Sequence, residues 1–284
     1  MAELLKGAAV TAVLDQRTAE RTAALRAKGV VPALAILRVG ERPDAVSYER
    51  SVIKRCAAVG VEALCRTLPE DVDSDTFFRV LGELNADSGI HGILLLQPLP
   101  PQIDAEKARR AIAAAKDVDG GSDGSLATVF RGSGEGFVPC TARAVMEILH
   151  HYGVAPDGKK AVVVGRSLVV GRPVAMLLLQ ENATVTVCHS HTADPAAVIR
   201  EADIVVAALS RPEALGRECF RPGQTVVDVG IHWNEAKGRL CGDVAFDEVE
   251  PVVAAITPVP GGVGPVTSSV MAAAVAEAAE HACR

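Results

Sequence analysis

Residues 161–173 read AVVVGRSLVVGRP. The four apolar residues at 161–164 predict a strand buried on both faces. Gly165-Arg166-Ser167 and Gly171-Arg172-Pro173 then predict a glycine turn into an apolar helix at 174–180. Such a turn lets backbone approach a ligand closely while the amides at the helix start face it, so an anionic pyrophosphate is its natural guest. The spacing is not GxGxxG, because five residues separate Gly165 from Gly171. On the turn alone, a packing role accounts for these glycines as well as a dinucleotide site does.

Outward from this stretch the chain alternates strand and helix. Downstream, 183–188, 204–209 and 225–229 predict buried strands, separated by the helix DPAAVIREA and a turn at Arg221-Pro222-Gly223. Upstream, helices at 3–28, 45–59, a stretch ending near 85 and 106–115 alternate with strands at 33–39, 61–68 and 90–96; Ser74 or Asp75 is the expected cap of the third helix. Alternation of this kind implies right-handed crossovers and parallel sheets. The fold class is therefore α/β and two-lobed, with an N-terminal α/β lobe and a Rossmann-like lobe. The first spans 1–140 and is completed by a C-terminal helix at 267–284; the second spans 141–266. A helix at 140–152 joins them. KDVDGGSDGS at 116–125 reads as a functional loop, and ITPVPGGVGPVTSS at 256–269 as a shaped loop too rich in proline and glycine to be an element.

Composition narrows the function. The net charge of −6, with lysines and arginines scattered, gives no footprint for nucleic acid. No apolar run reaches a membrane span, and MAELLKGAAV lacks a signal-peptide pattern, so the expectation is a cytoplasmic protein without membrane contact. Seven cysteines without a C-x-x-C pair suit reduced thiols. No metal is expected: His189 and His191 lack a third ligand, and the Asp71, Asp73, Asp75 series lacks the glycine and glutamate of a calcium loop. Three other residues admit two readings each. Tyr48 can be a core aromatic or line a site, Asp119 can be a turn residue or a ligand, and Arg166 can be a solvated loop arginine or a phosphate contact.

Taken together, VVVGRSLVVGRP, PCT at 139–141, KDVDG at 116–120, CHSHT at 188–192, ADIVVAALSRP at 202–212, VVDVGI at 226–231, GDV at 242–244 and ITPVPGGVGPVT at 256–267 resemble the bifunctional methylenetetrahydrofolate dehydrogenase/cyclohydrolases. The resemblance implies a folate lobe joined by long helices to a cofactor lobe, an active site in the cleft between them, and a homodimer through the cofactor lobe. It implies a tetrahydrofolate derivative as substrate, with Tyr48, Asp119 and Gln97 as catalytic positions. Tyr48 and Asp119 also bind substrate, as do Pro260, Gly261 and Gly262. The implied cofactor positions are Gly165, Arg166, Ser167, Val170, Gly171, Arg172, Ser190 and Ile231. The segment at 258–264 would cover the nicotinamide side, with Thr267 at the following helix start. The end of the second cofactor strand, Val187-Cys188-His189-Ser190-His191, offers no acidic residue for ribose hydroxyls. By resemblance Arg166 and Ser190 would meet a 2′-phosphate, so NADP is expected, with NAD as the alternative.

The chain departs from the family at its catalytic helix. The family carries a tyrosine followed four residues later by lysine; SYERSVIKRC supplies Tyr48, but four on stands Val52. Lys54 lies about 240° round the helix from Tyr48, and Arg55 shares its face roughly two turns away. The glutamine after the third strand is displaced by one residue, as Gln97. Ser125 and Ala127 stand where an asparagine and a glycine are usual. Hydride transfer needs mainly two oriented rings, whereas hydrolysis of a methenyl group needs protons moved. The expected activity is thus NADP-dependent oxidation of 5,10-methylenetetrahydrofolate to 5,10-methenyltetrahydrofolate, with weak or absent hydrolysis to 10-formyltetrahydrofolate. The alternatives are a fully bifunctional enzyme with rearranged residues and a non-catalytic folate or NADP binding protein.

Overall fold

A computed structural model describes residues 1–283. In chain order the elements are β1 (Glu3–Leu4), α1 (Gly7–Ala27), β2 (Ala33–Val39), α2 (Pro43–Ala58), β3 (Glu62–Leu68), α3 (Ser74–Ala86), β4 (Gly92–Leu95), α4 (Ala105–Ala111), α5 (Asp123–Arg131) and α6 (Cys140–His151). There follow β5 (Lys160–Val164), α7 (Gly171–Gln180), β6 (Thr184–Cys188), α8 (Pro195–Arg200), β7 (Ile204–Ala207), β8 (Thr225–Asp228), β9 (His232–Asn234), β10 (Arg239–Cys241), α9 (Phe246–Val249), β11 (Ala255–Ile256) and α10 (Val263–Ala282). The chain divides into two compact units: Ala12–Cys140 with the residues from Ser268 on, and Met1–Thr11 with Thr141–Thr267.

The unit of Ala12–Cys140 holds a parallel sheet of order β3-β2-β4. All seven residues of β2 are buried, which is why ALAILRV shows no alternation: a central parallel strand is covered on both faces. Phe77, Leu81 and Leu84 recur at helical spacing along α3 and pack on Ala35, Leu37, Ile93 and Leu95. The cap of α3 is Asp73, neither Ser74 nor Asp75; its carboxylate accepts the Thr76 N–H at 2.7 Å. Within KDVDGGSDGS and the residues after it lies a helix that the glycines conceal, α5, capped by Ser122.

The other unit holds six strands in the order β1-β11-β8-β7-β5-β6. β5 and β7 lie inside it, covered as their unbroken valine runs predict. The expectation of burial fails for β6, where TVTVC forms an edge strand with one neighbour and three of its five residues exposed. The helix expected over 3–28 begins only at Gly7. Glu3–Leu4 is instead paired in parallel with β11, a contact across the sequence that no local pattern reveals, and so Met1–Thr11 groups with the six-stranded sheet. At the other end α10 begins at Val263, inside the segment expected to be a loop. Gly264 and Pro265 fall in its first turn, where amides have no intrahelical partner to lose. No helix among the described residues is long and apolar enough to cross a membrane.

Candidate active site

Each unit carries a recess. In the six-stranded unit, Gly165 follows β5 with φ +128°, and a Cβ there would lie 2.0 Å from the Ala208 carbonyl oxygen. A Cβ on Gly171 would meet the Gly165 oxygen at 2.3 Å. The two glycines therefore let the turn close on itself and on the end of β7. Ser167 Oγ accepts the N–H groups of Val170 at 3.1 Å and Gly171 at 3.4 Å, fixing the start of α7. The resulting recess, about 520 Å³, is lined by Gly165, Arg166, Ser167, His189, Ser190 and the 208–211 segment among others, and no carboxylate lines it. Neither the Arg166 nor the Arg211 guanidinium forms an ion pair among the described residues. A glycine cradle, a helix start and unpaired guanidiniums together fit a nucleotide carrying phosphates.

The other expected cofactor and loop positions are dispersed in the same unit. Val170 is the residue before α7, Gly171 and Arg172 open that helix, and Arg172 Nε donates to the Arg166 oxygen at 3.1 Å. Ile231, just past β8, is exposed. Pro260 follows a cis bond, Gly261 has φ +102° and accepts the Gly7 N–H at 2.8 Å, and a Cβ on Gly262 would meet the Pro258 oxygen at 2.6 Å. Thr267 is the fifth residue of α10, not its start, because Pro265 and its neighbours are already helical. The rings of His189 and His191 are 6.0 Å apart, and no group of three metal-ligating residues occurs among the described residues.

The recess of the three-stranded unit, about 330 Å³, gathers residues from three places: Asp44, Ala45 and Tyr48 of α2, residues 94–97 at the end of β4, and Asp119. These are the outlets of parallel strands, where α/β sheets hold their ligands. Tyr48 is 39% exposed, so it is no core aromatic. Burial of its surroundings, then the negative charge of Asp119, raises its pKa. Asp119 opens to the recess yet is ringed by protein, and desolvation followed by repulsion from Asp117 pushes its carboxyl up to about 6. Among the described residues its carboxylate accepts no hydrogen bond.

The two aspartates of KDVDG divide the work. Asp117 is 2% exposed and accepts the N–H groups of Gly121 at 3.2 Å and Ser122 at 2.6 Å, pinning the loop. Gly120, φ +77°, passes so close to Pro139 that a Cβ would sit 2.5 Å from its nitrogen. Cys140 N–H closes on the Asp119 carbonyl at 3.3 Å, so the side chain of Asp119 is what remains for the recess. Ser125 is fully buried, and its Oγ accepts the Phe137 N–H at 3.1 Å.

Gln97, though displaced by one residue, still lines the recess; its Oε1 accepts the Leu99 N–H at 3.3 Å. Val52 is 2% exposed, on the face of α2 that also buries Glu49 and Cys56. Lys54 is exposed, and Arg55 is bonded to Asp15 of α1. Glu49 accepts from buried Arg38 at 3.0 Å. Sequence reasoning assigned no site role to Asp44 and Ala45, which sit one turn ahead of Tyr48, or to the 208–211 wall of the other recess, whose signals are its place after a buried strand and its inclusion in the ADIVVAALSRP stretch.

These features define a two-unit α/β protein with a glycine-built, carboxylate-free recess in one unit and a recess holding a tyrosine and a carboxylate in the other. Residues 5–119 match the family described as tetrahydrofolate dehydrogenase/cyclohydrolase, catalytic domain, and residues 139–283 its NAD(P)-binding domain. The chain belongs to the tetrahydrofolate dehydrogenase/cyclohydrolase family. It is 47% identical over 281 residues to the bifunctional protein FolD of Carboxydothermus hydrogenoformans, covering 99% of this chain and 98% of that one. The structure of the bifunctional enzyme from Campylobacter jejuni superposes with a TM-score of 0.95 at 36% identity, over 99% of both chains. That of the Trypanosoma brucei enzyme, complexed with NADP cofactor and inhibitor, gives 0.92 at 38% identity, over 100% of this chain and 99% of that one.

Proposed function

We propose that this chain oxidises 5,10-methylenetetrahydrofolate to 5,10-methenyltetrahydrofolate with NADP, and that its hydrolysis of the methenyl product is weak. The carrying observation is a recess that presents Tyr48 and Asp119 together while Val52 stands four residues after Tyr48. Bound NADP supplies the hydride acceptor. Asp119, when ionised, accepts paired N–H donors of the pterin. Tyr48 and Gln97 border the substrate, and Pro260, Gly261 and Gly262 contact it from their loop. Gly165, Arg166, Ser167, Val170, Gly171, Arg172, Ser190 and Ile231 hold the cofactor.

Removing a hydride leaves a cation on the folate. No lysine or arginine lines the recess, and Asp119 is negative above its pKa of about 6, so the developing charge meets attraction and no like charge. Hydrolysis asks for a group that moves protons to and from water. Asp119 is committed to the pterin, Asp44 is ion-paired to Arg42 at 2.9 Å and thereby held below its ordinary pKa, the Tyr48 hydroxyl is held protonated, and valine has no proton to offer. A homodimer through the six-stranded unit is part of the same proposal, supported by the open edge of β6.

Absorbance assays test this. Methylenetetrahydrofolate with NADP should reduce cofactor, faster than with NAD, while methenyltetrahydrofolate alone should hydrolyse little above its rate in buffer. Hydrolysis as fast as hydride transfer would overturn the second half of the proposal, and no cofactor reduction the first.

A further inference from the structure

Asp243 is fully buried, yet it does not line either recess. Its Oδ2 accepts the backbone N–H groups of Leu209 at 2.6 Å and Ser210 at 3.3 Å. Its Oδ1 accepts the Arg211 N–H at 2.9 Å and lies 2.8 Å from His232 Nε2. Three successive amides converge on one carboxylate because Ser210 adopts φ +57°, a conformation uncommon outside glycine. Asp243 is itself fixed from behind: its N–H and that of Val244 donate to Asp228 at 3.0 and 2.9 Å. A buried carboxylate is costly unless fully bonded, and this one places all its bonds on a single surface loop and the histidine beside it.

That loop is a wall of the dinucleotide recess. Leu209, Ser210 and Arg211 line it together with Arg166 and Ser190, which come from the ends of β5 and β6. The Arg211 guanidinium is exposed and makes no ion pair among the described residues. An unpaired guanidinium at a recess without carboxylates is matched to phosphate by charge and by its fork of donors.

We propose that Arg211 contacts a phosphate of the bound dinucleotide, and that Asp243 is the positioning residue holding the 209–211 backbone from which Arg211 reaches it. This rests on the cofactor reading above. Asp243→Asn would replace an acceptor oxygen by a donor facing N–H groups, so the loop would lose its anchor while Arg211 itself remained.

Calorimetric titration of the full chain with NADP and with NAD provides the test. Arg211→Ala should weaken NADP binding by about tenfold or more, the loss of one charge-assisted contact, and Arg211→Lys should recover part of it. If NAD binding is unchanged the phosphate is the 2′ group; if both fall alike it is the pyrophosphate; either supports the role of Arg211. Asp243→Asn should weaken NADP similarly, and adding Arg211→Ala to it should cost little more, the non-additivity of two residues acting through one contact. An Arg211→Ala variant within about twofold of wild type overturns the proposal, whether or not Asp243→Asn folds. Additive losses in the double variant overturn the role of Asp243. A wild-type chain that binds neither nucleotide would instead sink the cofactor reading and this proposal with it.

Discussion

The two units build their recesses from different material. In the six-stranded unit the cradle is backbone: glycines at 165 and 171, the amides at the start of α7, and a loop tied down by Asp243. In the three-stranded unit it is side chains borrowed from α2, the end of β4 and the Asp119 loop. A backbone cradle has few substitutable parts, and each change to it is a collision. A side-chain recess can exchange one chemical group and keep its shape, and Val52, buried on the helix that carries Tyr48 where the family resemblance places a lysine, is the position at which such an exchange is proposed.

The collision half of that contrast gives the largest effect. Gly165→Val places a branched side chain where even a Cβ would lie 2.0 Å from backbone, at φ +128°. NADP binding should be abolished in calorimetry, while binding of methenyltetrahydrofolate, proposed to rest on Tyr48, Gln97 and Asp119 of the other unit together with Pro260, Gly261 and Gly262, should fall far less. Retained NADP affinity would mean that the glycine turn is packing and the cofactor lies elsewhere.

The same contrast explains what could be read from the sequence. β2 and β5 are legible because central parallel strands must be apolar without a break, and the glycine turn because a backbone cradle writes itself into contiguous residues. β1 and β11 are two residues long and owe their existence to each other and to β8, so nothing local marks them. Helix α5 hides because its cap and first turn, Ser122, Asp123 and Gly124, share their composition with loops. On the site side, Tyr48 and Asp119 carry meaning in sequence only through resemblance, since their meeting in one recess is a tertiary fact. Asp243 enters the sequence only as the middle of the GDV stretch, and nothing there shows its role, because its partners are amides of a distant loop, and amides are common to every residue.

On the side-chain half, Asp119→Ala removes the carboxylate proposed to accept two charge-assisted hydrogen bonds from the pterin. The KM for methylenetetrahydrofolate should rise by about 100-fold with NADP affinity unchanged. The pH dependence sharpens it. With a pKa of about 6, Asp119 loses its acceptor form as pH falls through that value, so folate affinity should drop by roughly tenfold per pH unit below about 5. Stability runs the other way. The folded pKa is raised above 3.8, so the folded chain keeps a proton that the unfolded chain has released. The favourable contribution is present below 3.8 and is lost as pH rises through about 6. Asp119→Asn should therefore melt higher than wild type at pH 7 and not at pH 3.5, while its folate affinity no longer varies with pH. An Asn variant that keeps the wild-type pH profile would assign the titration to another group.

Val52→Lys supplies the lysine that the family resemblance places at this position. Four carbons carry an amine from the buried face of α2, beside Tyr48, to where it can handle protons. Hydrolysis of methenyltetrahydrofolate should increase by about tenfold or more, and hydride transfer should slow as a cation now faces the cationic product. An unchanged hydrolysis rate with a well-folded variant would show that valine at 52 is not what limits this activity.

The smallest effect concerns Arg55, a cation on the same face of the helix as Tyr48 that could stand in for the lysine the family resemblance places at 52. Its guanidinium is bonded to Asp15 of α1, and the other Asp15 oxygen is buried without a partner among the described residues. A side chain that is the anchor of a partly buried carboxylate is not free to move protons on a substrate. Arg55→Ala should leave both reaction rates within about twofold. It should cost about 1–3 kcal/mol of stability, because a carboxylate oxygen is stranded, and Asp15→Asn in the same chain should return part of that loss. A tenfold drop in methenyl hydrolysis with an unchanged melting temperature would reverse the picture: the recess would be drawing its proton-handling cation from seven residues beyond Tyr48, and the exchange at 52 would be a relocation of the group and not its loss.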